Sequence, residues 1–270
     1  MTSPDPHPRA HTTGSGDLAR SLELLWGLDR KPARGPKPAL TLDAIVTTAI
    51  AVADAEGLDA VSMRRVAAEL GAGTMSLYRY VPGKAELLDL MVDRVNAPGD
   101  GAEFPPDVGW RGALEVVARG IWRMYARHPW LLGVDQARPV LGPNSLRALE
   151  TTLAAIGDAA LSDREKMTVL TILDGGYVSG MARTHLNTTH AAQRTGISDE
   201  QFWSAQAPIL NQAMTSGSYP HLAALDQSAF TADGEADFEF GLKLLLDGLE
   251  THIAHHTKHV AGEAKEKDDC

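Results

Sequence analysis

The chain has 270 residues, 44% of them hydrophobic and 22% charged, the composition of a globular protein with room for one large domain or two ordinary ones. No apolar run approaches the roughly 18 to 20 residues of a membrane span. The single cysteine, Cys270, excludes an intrachain disulfide and a zinc site built on several thiolates. Net charge is −10, but residues 30–95 carry nine Lys/Arg against eight Asp/Glu, whereas residues 97–270 carry fourteen against twenty-three. A near-neutral segment of this kind still binds a phosphate backbone if its cations share one face.

Taken in order, residues 1–16 are rich in Pro, His, Gly, Thr and Ser, lack apolar periodicity, and read as a disordered leader with no secretory signal. A cytoplasmic location is the simplest expectation. Leu18, Leu22, Leu25 and Trp26 recur at helical spacing and predict a short helix ending near Gly27. The stretch from Arg30 to Pro38 holds four positive charges between Arg30 and Lys37, and its prolines forbid a helix. It reads either as a solvated connector or as an arm lying along DNA.

From Thr41 the signals sharpen. Thr41 predicts an N-cap, with Ile45, Ala49, Val52 and Ala53 on a buried stripe that stops at Glu56-Gly57. Ser62 caps a second helix carrying Val66, Ala67 and Leu70 inward, stopped by Gly71. After Ala72-Gly73, Thr74 to Val81 predicts a third short helix stopped by Pro82-Gly83, and Lys84 opens a fourth that runs to about Asn96. Three short helices with a tight Gly-containing turn between the second and third form a helix-turn-helix pattern, whose second helix enters the major groove. Met75, Ser76, Tyr78, Arg79 and Tyr80 crowd that helix. Exposed tyrosines and an arginine suit phosphate and base contacts better than a purely structural helix, whereas Leu77 reads as core. At Lys84 the helix N-terminus also favours an anion.

Residues Leu42 to Val95 resemble the DNA-binding domain of the tetracycline-repressor (TetR) family. The matching elements are the helix before Gly57, Ser62-Met63-Arg64-Arg65-Val66-Ala67, Leu70-Gly71, Leu77-Tyr78-Arg79-Tyr80 and Lys84. The resemblance extends over about residues 18–256, with Ser218 to Leu222 and Phe238 to Leu242 similar to the branch of the tetracycline repressor itself. It implies that Thr74, Met75, Ser76, Tyr78, Arg79 and Tyr80 lie at the groove, with Arg64 and Lys84 on flanking phosphates. Arg79 is the candidate for a guanine contact. It further implies a homodimer on palindromic double-stranded operator DNA and release by a small-molecule effector.

The break from Ala97 to Pro106 predicts a domain boundary, giving a leader, short helix and linker (1–40), a DNA-binding domain (41–96), a helical ligand-binding and dimerisation domain (97–260) and a charged, frayed tail (261–270). Helices are predicted at about 109–128, 143–157, 162–187, 198–216 and 235–256, with no convincing strand. The expected fold class is therefore all-α. Trp122, Tyr125, His128 and Trp130, together with Tyr177 and Met181, make up the candidate effector pocket, which calls for a mainly apolar ligand. Gly175, Gly176 and Gly180 interrupt the 162–187 helix, marking either a loop break or a bend beside a ligand. On the last long helix Phe238, Leu242, Leu245, Leu249 and Ile253 form one stripe. His252, His255, His256 and His259 share one helix face, yet no carboxylate completes a metal site, and neither a metal nor another cofactor is expected. No nucleophile elbow, phosphate-cradling loop or His-Glu-x-x-His accompanies the histidines, so catalysis is not expected. The alternative to a DNA-binding regulator is a helical ligand-binding or scaffold protein without specific DNA binding.

Overall fold

The computed structural model describes residues 11–28, 40–98, 104–105, 107–230 and 233–268; the basic run 30–37 lies outside them. The chain divides into two compact units, Met1–Val169 and Leu170–Cys270.

In the first unit, α1 (Leu18–Trp26) starts at Asp17, whose side chain accepts from Arg20 N, and stops at Gly27 in the left-handed region. Helix α2 (Leu42–Glu56) is capped by the Thr41 hydroxyl accepting from Ala44 N. Its buried residues Ile45, Val46, Ala49, Ile50, Val52 and Ala53 exceed one stripe because α2 packs against α3 (Met63–Glu69), α5 (Lys84–Val95) and the 3₁₀ turn Leu58–Ala60. Helix α3 (Met63–Glu69), capped by Ser62, packs on α4 (Thr74–Leu77). Regular α-helix ends at Leu77, earlier than the sequence predicts, and Tyr78, Arg79 and Tyr80 continue as a turn closed by Val81 N bonding to Leu77 O at 2.9 Å. Leu77 and Val81 are both fully buried, so two inward anchors present the residues between them.

Helix α5 (Lys84–Val95) is buried at every position from Glu86 to Asp93, carboxylates included, because α1, α2 and α7 (Pro143–Ala155) surround it. Buried carboxylates persist only when hydrogen-bonded, and each of the three is. Asp93 receives Ser145 N and Ser145 Oγ, both at 2.9 Å, at the start of α7 (Pro143–Ala155). Glu86 and Asp89 take donors from residues 14–21. Residues 11–16, expected as part of an unstructured leader, are therefore tied down. A two-residue parallel bridge, which the sequence did not announce, joins β1 (His11–Thr12) to β2 (Val134–Asp135). Helix α6 (Gly109–Arg127) ends at His128, before the 3₁₀ turn Pro129–Gly133.

Helix α8 (Asp163–Thr171) runs into the second unit. There the helical path widens to a π turn, Ile172–Val178, before α9 (Ser179–Thr189). Gly175 and Gly176 thus sit in a π turn rather than a loop break, and π turns concentrate at functional positions. After α10 (Ala191–Thr195), a Ser198–Gln201 capping box starts α11 (Asp199–Thr215), followed by α12 (Pro220–Ala223) and α13 (Gly234–Asp268). The backbone of α13 stays helical beyond residue 256, into the stretch expected to fray. Its buried face is Phe238, Leu242 and Leu246, a spacing of four and four that puts Leu246, not Leu245, third on the inner stripe.

Candidate nucleic-acid interface

The three-helix unit sorts its cations into two kinds. Arg65 is held between Glu56 and Glu69, each at 2.6 Å, and its guanidinium holds the Glu56 carboxyl below the usual carboxylate range. Arg94 pairs with Asp43 at 2.8 Å. Arg64 and Arg79 are exposed, and neither has an acidic partner among the described residues. Neighbouring positions in one helix therefore have opposite fates: Arg65 ties α3 to α2, while Arg64 is exposed, with five donors that no described carboxylate engages.

Arg79 sits beside Tyr78, which is 44% exposed, and close to Met75, which is 77% exposed. Thr74, Ser76 and Tyr80 are half-buried. Apolar side chains left this exposed gain nothing from folding, and here they flank a free guanidinium and several hydroxyls. Such a surface supplies one planar fork for a base edge, methyl and ring contacts for thymine, and hydroxyl donors for phosphate. Lys84 donates from Nζ to Leu58 O at 3.0 Å. Partial burial pushes its ammonium below the usual lysine range, opposed by the charge of Asp59. The lysine thus ties α5 to the 3₁₀ turn and has two N–H groups left for a phosphate.

The residues expected at an effector site fall in both units. In the first, Tyr125, His128 and Trp130 are buried and Trp122 is half-buried. His128 Nδ1 and Trp130 Nε1 both donate to Asp54 Oδ1 on α2, each at 2.7 Å. Asp54 escaped the sequence reading, because nothing in its local pattern separates it from a solvated helix carboxylate. In the second unit, Tyr177 stacks on Phe238 with ring centroids 5.8 Å apart and donates its hydroxyl to Phe238 O. Burial pushes its phenol up. A Cβ at Gly241 would lie 2.6 Å from the Tyr177 hydroxyl, so this glycine makes room for the ring. Met181 is half-buried one turn further on. His252 and His256 stack at 6.3 Å along α13.

The family model for bacterial regulatory proteins of the tetR family matches residues 45–91, and that for the tetracyclin repressor-like C-terminal domain matches residues 104–253. The chain belongs to the tetR family. As a family member it is a DNA-binding transcriptional regulator with an N-terminal helix-turn-helix, and regulation rather than catalysis is the role its relatives are named for. It is 53% identical over 243 residues to the HTH-type transcriptional repressor DrrR1 of Streptomyces coeruleorubidus, covering 90% of this chain and 89% of that one. ActR of Streptomyces coelicolor, a TetR family protein solved in complex with actinorhodin, superposes with a TM-score of 0.64 at 30% identity, over 81% of this chain and 99% of ActR. ActR in complex with (S)-DNPA gives a TM-score of 0.62 at 29% identity, over 80% and 99% of the two chains. Among the described residues no helix is long and apolar enough to cross a membrane.

Proposed function

We propose that this regulator is a ligand-responsive repressor that binds a palindromic operator as a homodimer in the cytoplasm and releases it on binding a mainly apolar small molecule. The observation that carries the DNA reading is the pair of exposed arginines, Arg64 and Arg79, without an acidic partner among the described residues, on a three-helix domain whose other arginines, Arg65 and Arg94, are neutralised by carboxylates. Arg79 with Thr74, Met75, Ser76, Tyr78 and Tyr80 reads the groove, and Arg64 and Lys84 hold phosphates. The repressor name of DrrR1 and the small molecules held by ActR support the repressor and ligand-responsive parts of the reading.

Trp122, Tyr125, His128 and Trp130 in the first unit are proposed effector residues, and Tyr177 and Met181 in the second are proposed separately in the same role. A ligand that competes for the N–H of His128 or Trp130 frees Asp54 and so loosens the hold on α2. A differential affinity of about 1 to 3 kcal/mol between the two forms changes operator affinity roughly 5- to 150-fold. Selection of bound duplexes from random DNA tests the first part: a palindromic consensus is expected, and a chain that enriches no sequence is instead a ligand-binding or scaffold protein. Compounds that quench tryptophan fluorescence then test the second part. A tight ligand that leaves operator affinity unchanged removes induction from the proposal.

A further inference from the structure

Residues 11–28 are bound at once to three segments far apart in the sequence, all within the first unit. At one end His11 pairs with Val134 and Thr12 with Asp135 in the parallel bridge. Buried Thr13 adds its amide to Asp135 O and its hydroxyl to Arg138 O, both at 3.1 Å. In the middle, Gly14 N and Ser21 Oγ donate to the two oxygens of Asp89 at 2.9 and 2.6 Å, and Asp17 N donates to Glu86 Oε1 at 2.8 Å. At the far end Trp26 Nε1 reaches Leu141 O at 3.3 Å. His11, at the first end, also donates from Nε2 to Asp59, beside Lys84, at 2.8 Å. The segment thus joins 134–141, which belongs to the matched C-terminal domain, to α5 and the 3₁₀ turn of the DNA-binding domain.

We propose that residues 11–28 form a strap that sets the mounting of α5, and through it the groove-reading residues, so that specific DNA binding requires the strap and non-specific binding does not. The inference rests on the operator reading above. Glu86 and Asp89 are buried, and among the described residues their hydrogen-bond donors all come from the strap. Without it α5 would lose both the donors to its two carboxylates and the helix that covers them, and would have to tilt or hydrate in response. Only Pro82 and Gly83 separate Val81, the anchor behind the reading turn, from Lys84 at the head of α5. A tilt of α5 therefore moves the reading turn. Phosphate attraction tolerates such a displacement, but a side chain aligned on a base edge does not.

Binding is compared on the duplex selected by the wild-type chain and on a scrambled duplex of equal length, at one salt concentration and well below the melting temperature. Three strap variants and one control are compared. Gly16→Ala is the first, because its Cβ would overlap Glu86 Oε1 and lie 2.9 Å from Ala85 Cβ. Ser21→Ala removes a donor from Asp89. Deletion of residues 1–28 leaves the basic run at 30–37 in place. Gly120→Ala, whose Cβ meets open space, is the control. The deletion and Gly16→Ala are expected to lose about tenfold or more in affinity for the selected duplex, with scrambled DNA bound within about twofold of wild type. Ser21→Ala should fall between them and the control. If the deleted chain does not fold, the two point variants decide. A lowered melting temperature with an unchanged ratio of specific to scrambled affinity overturns the proposal, since the strap then only stabilises. A wild-type chain that does not discriminate the two duplexes overturns the operator reading and this inference together.

Discussion

Asp54 Oδ1 on α2 stands 2.7 Å from Nδ1 of His128, the residue that ends α6, and the same oxygen accepts the Trp130 indole N–H. One carboxylate therefore pins the first helix of the DNA-binding domain to the turn after α6. Removing it strands two buried donors, each costing about 1 to 3 kcal/mol if water cannot reach it. Asp54→Ala should accordingly lower the unfolding free energy by about 2 kcal/mol in urea melts followed by circular dichroism. A change below about 0.5 kcal/mol would mean that water satisfies both rings.

The arginines of the three-helix unit should separate by function. Arg79→Ala is expected to lose discrimination at one base position by about 1 to 3 kcal/mol with little change in stability. Arg65→Ala, which breaks the pairs to Glu56 and Glu69, should weaken the fold while leaving specific DNA affinity within about twofold. Binding titrations on the selected duplex and its point variants measure both, and equal losses for the two variants would refute the division.

Lys84→Ala should reduce the slope of log affinity against log salt by about 1, the expectation for one lost phosphate contact. The Leu58 O bond is lost as well, so a stability loss of about 1 kcal/mol accompanies it. A salt slope identical to wild type would confine Lys84 to its internal role.

On α13 the single chain leaves Phe240 66% and Leu244 56% exposed, next to a buried face of Phe238, Leu242 and Leu246. A helix apolar on a second face calls for a second partner. Leu244→Glu should produce monomers in sedimentation at micromolar concentration, with greatly reduced operator affinity but unchanged helicity. A variant that remains dimeric would place the interface elsewhere.

Asp89 supplies a pH dependence. Burial pushes its carboxyl above the usual range, Glu86 adding to the rise, while the Ser21 hydroxyl and the Gly14 amide oppose it. The folded chain then keeps this proton at pH values where the unfolded chain has released it. The contribution of Asp89 is complete below the unfolded value, near pH 4, and is lost as pH rises through the folded one. Asp89→Asn should therefore gain stability relative to wild type as pH climbs through that window, in urea melts at a series of pH values. Parallel curves for the two proteins would contradict the shift.

Much of the fold could be read locally. Thr41, Ser62 and Ser198 each cap the helix their neighbours announce, Gly27 and Gly71 stop the helices before them, and Leu77 lies in the core as its spacing demanded. These features depend on hydrogen bonds and apolar spacing within a turn or two, which is information the chain carries residue by residue. The helix-turn-helix and its exposed residues belong to the same class.

Other features arise only when distant segments meet. Glu86, Asp89 and Asp93 look like the solvated face of an amphipathic helix, yet α1, α2 and α7 bury all three, and residues 14–21 and the start of α7 supply their donors. Asp54 is unremarkable, and its link to His128 and Trp130 illegible, until a fold joins positions 74 and 76 residues apart. Residues 11–16 lack any apolar pattern and are held by backbone bonds, for which side-chain periodicity has no signature. On α13, a stripe through Leu245 and one through Leu246 are equally good helical patterns; the direction from which the neighbouring helix approaches decides between them. The sequence by itself determined most helix starts and stops and the exposed residues between Leu77 and Val81, because those are near-neighbour energies. Tertiary structure alone decided which charges are buried and what α5 is fastened to, because burial is a property of everything packed around a residue.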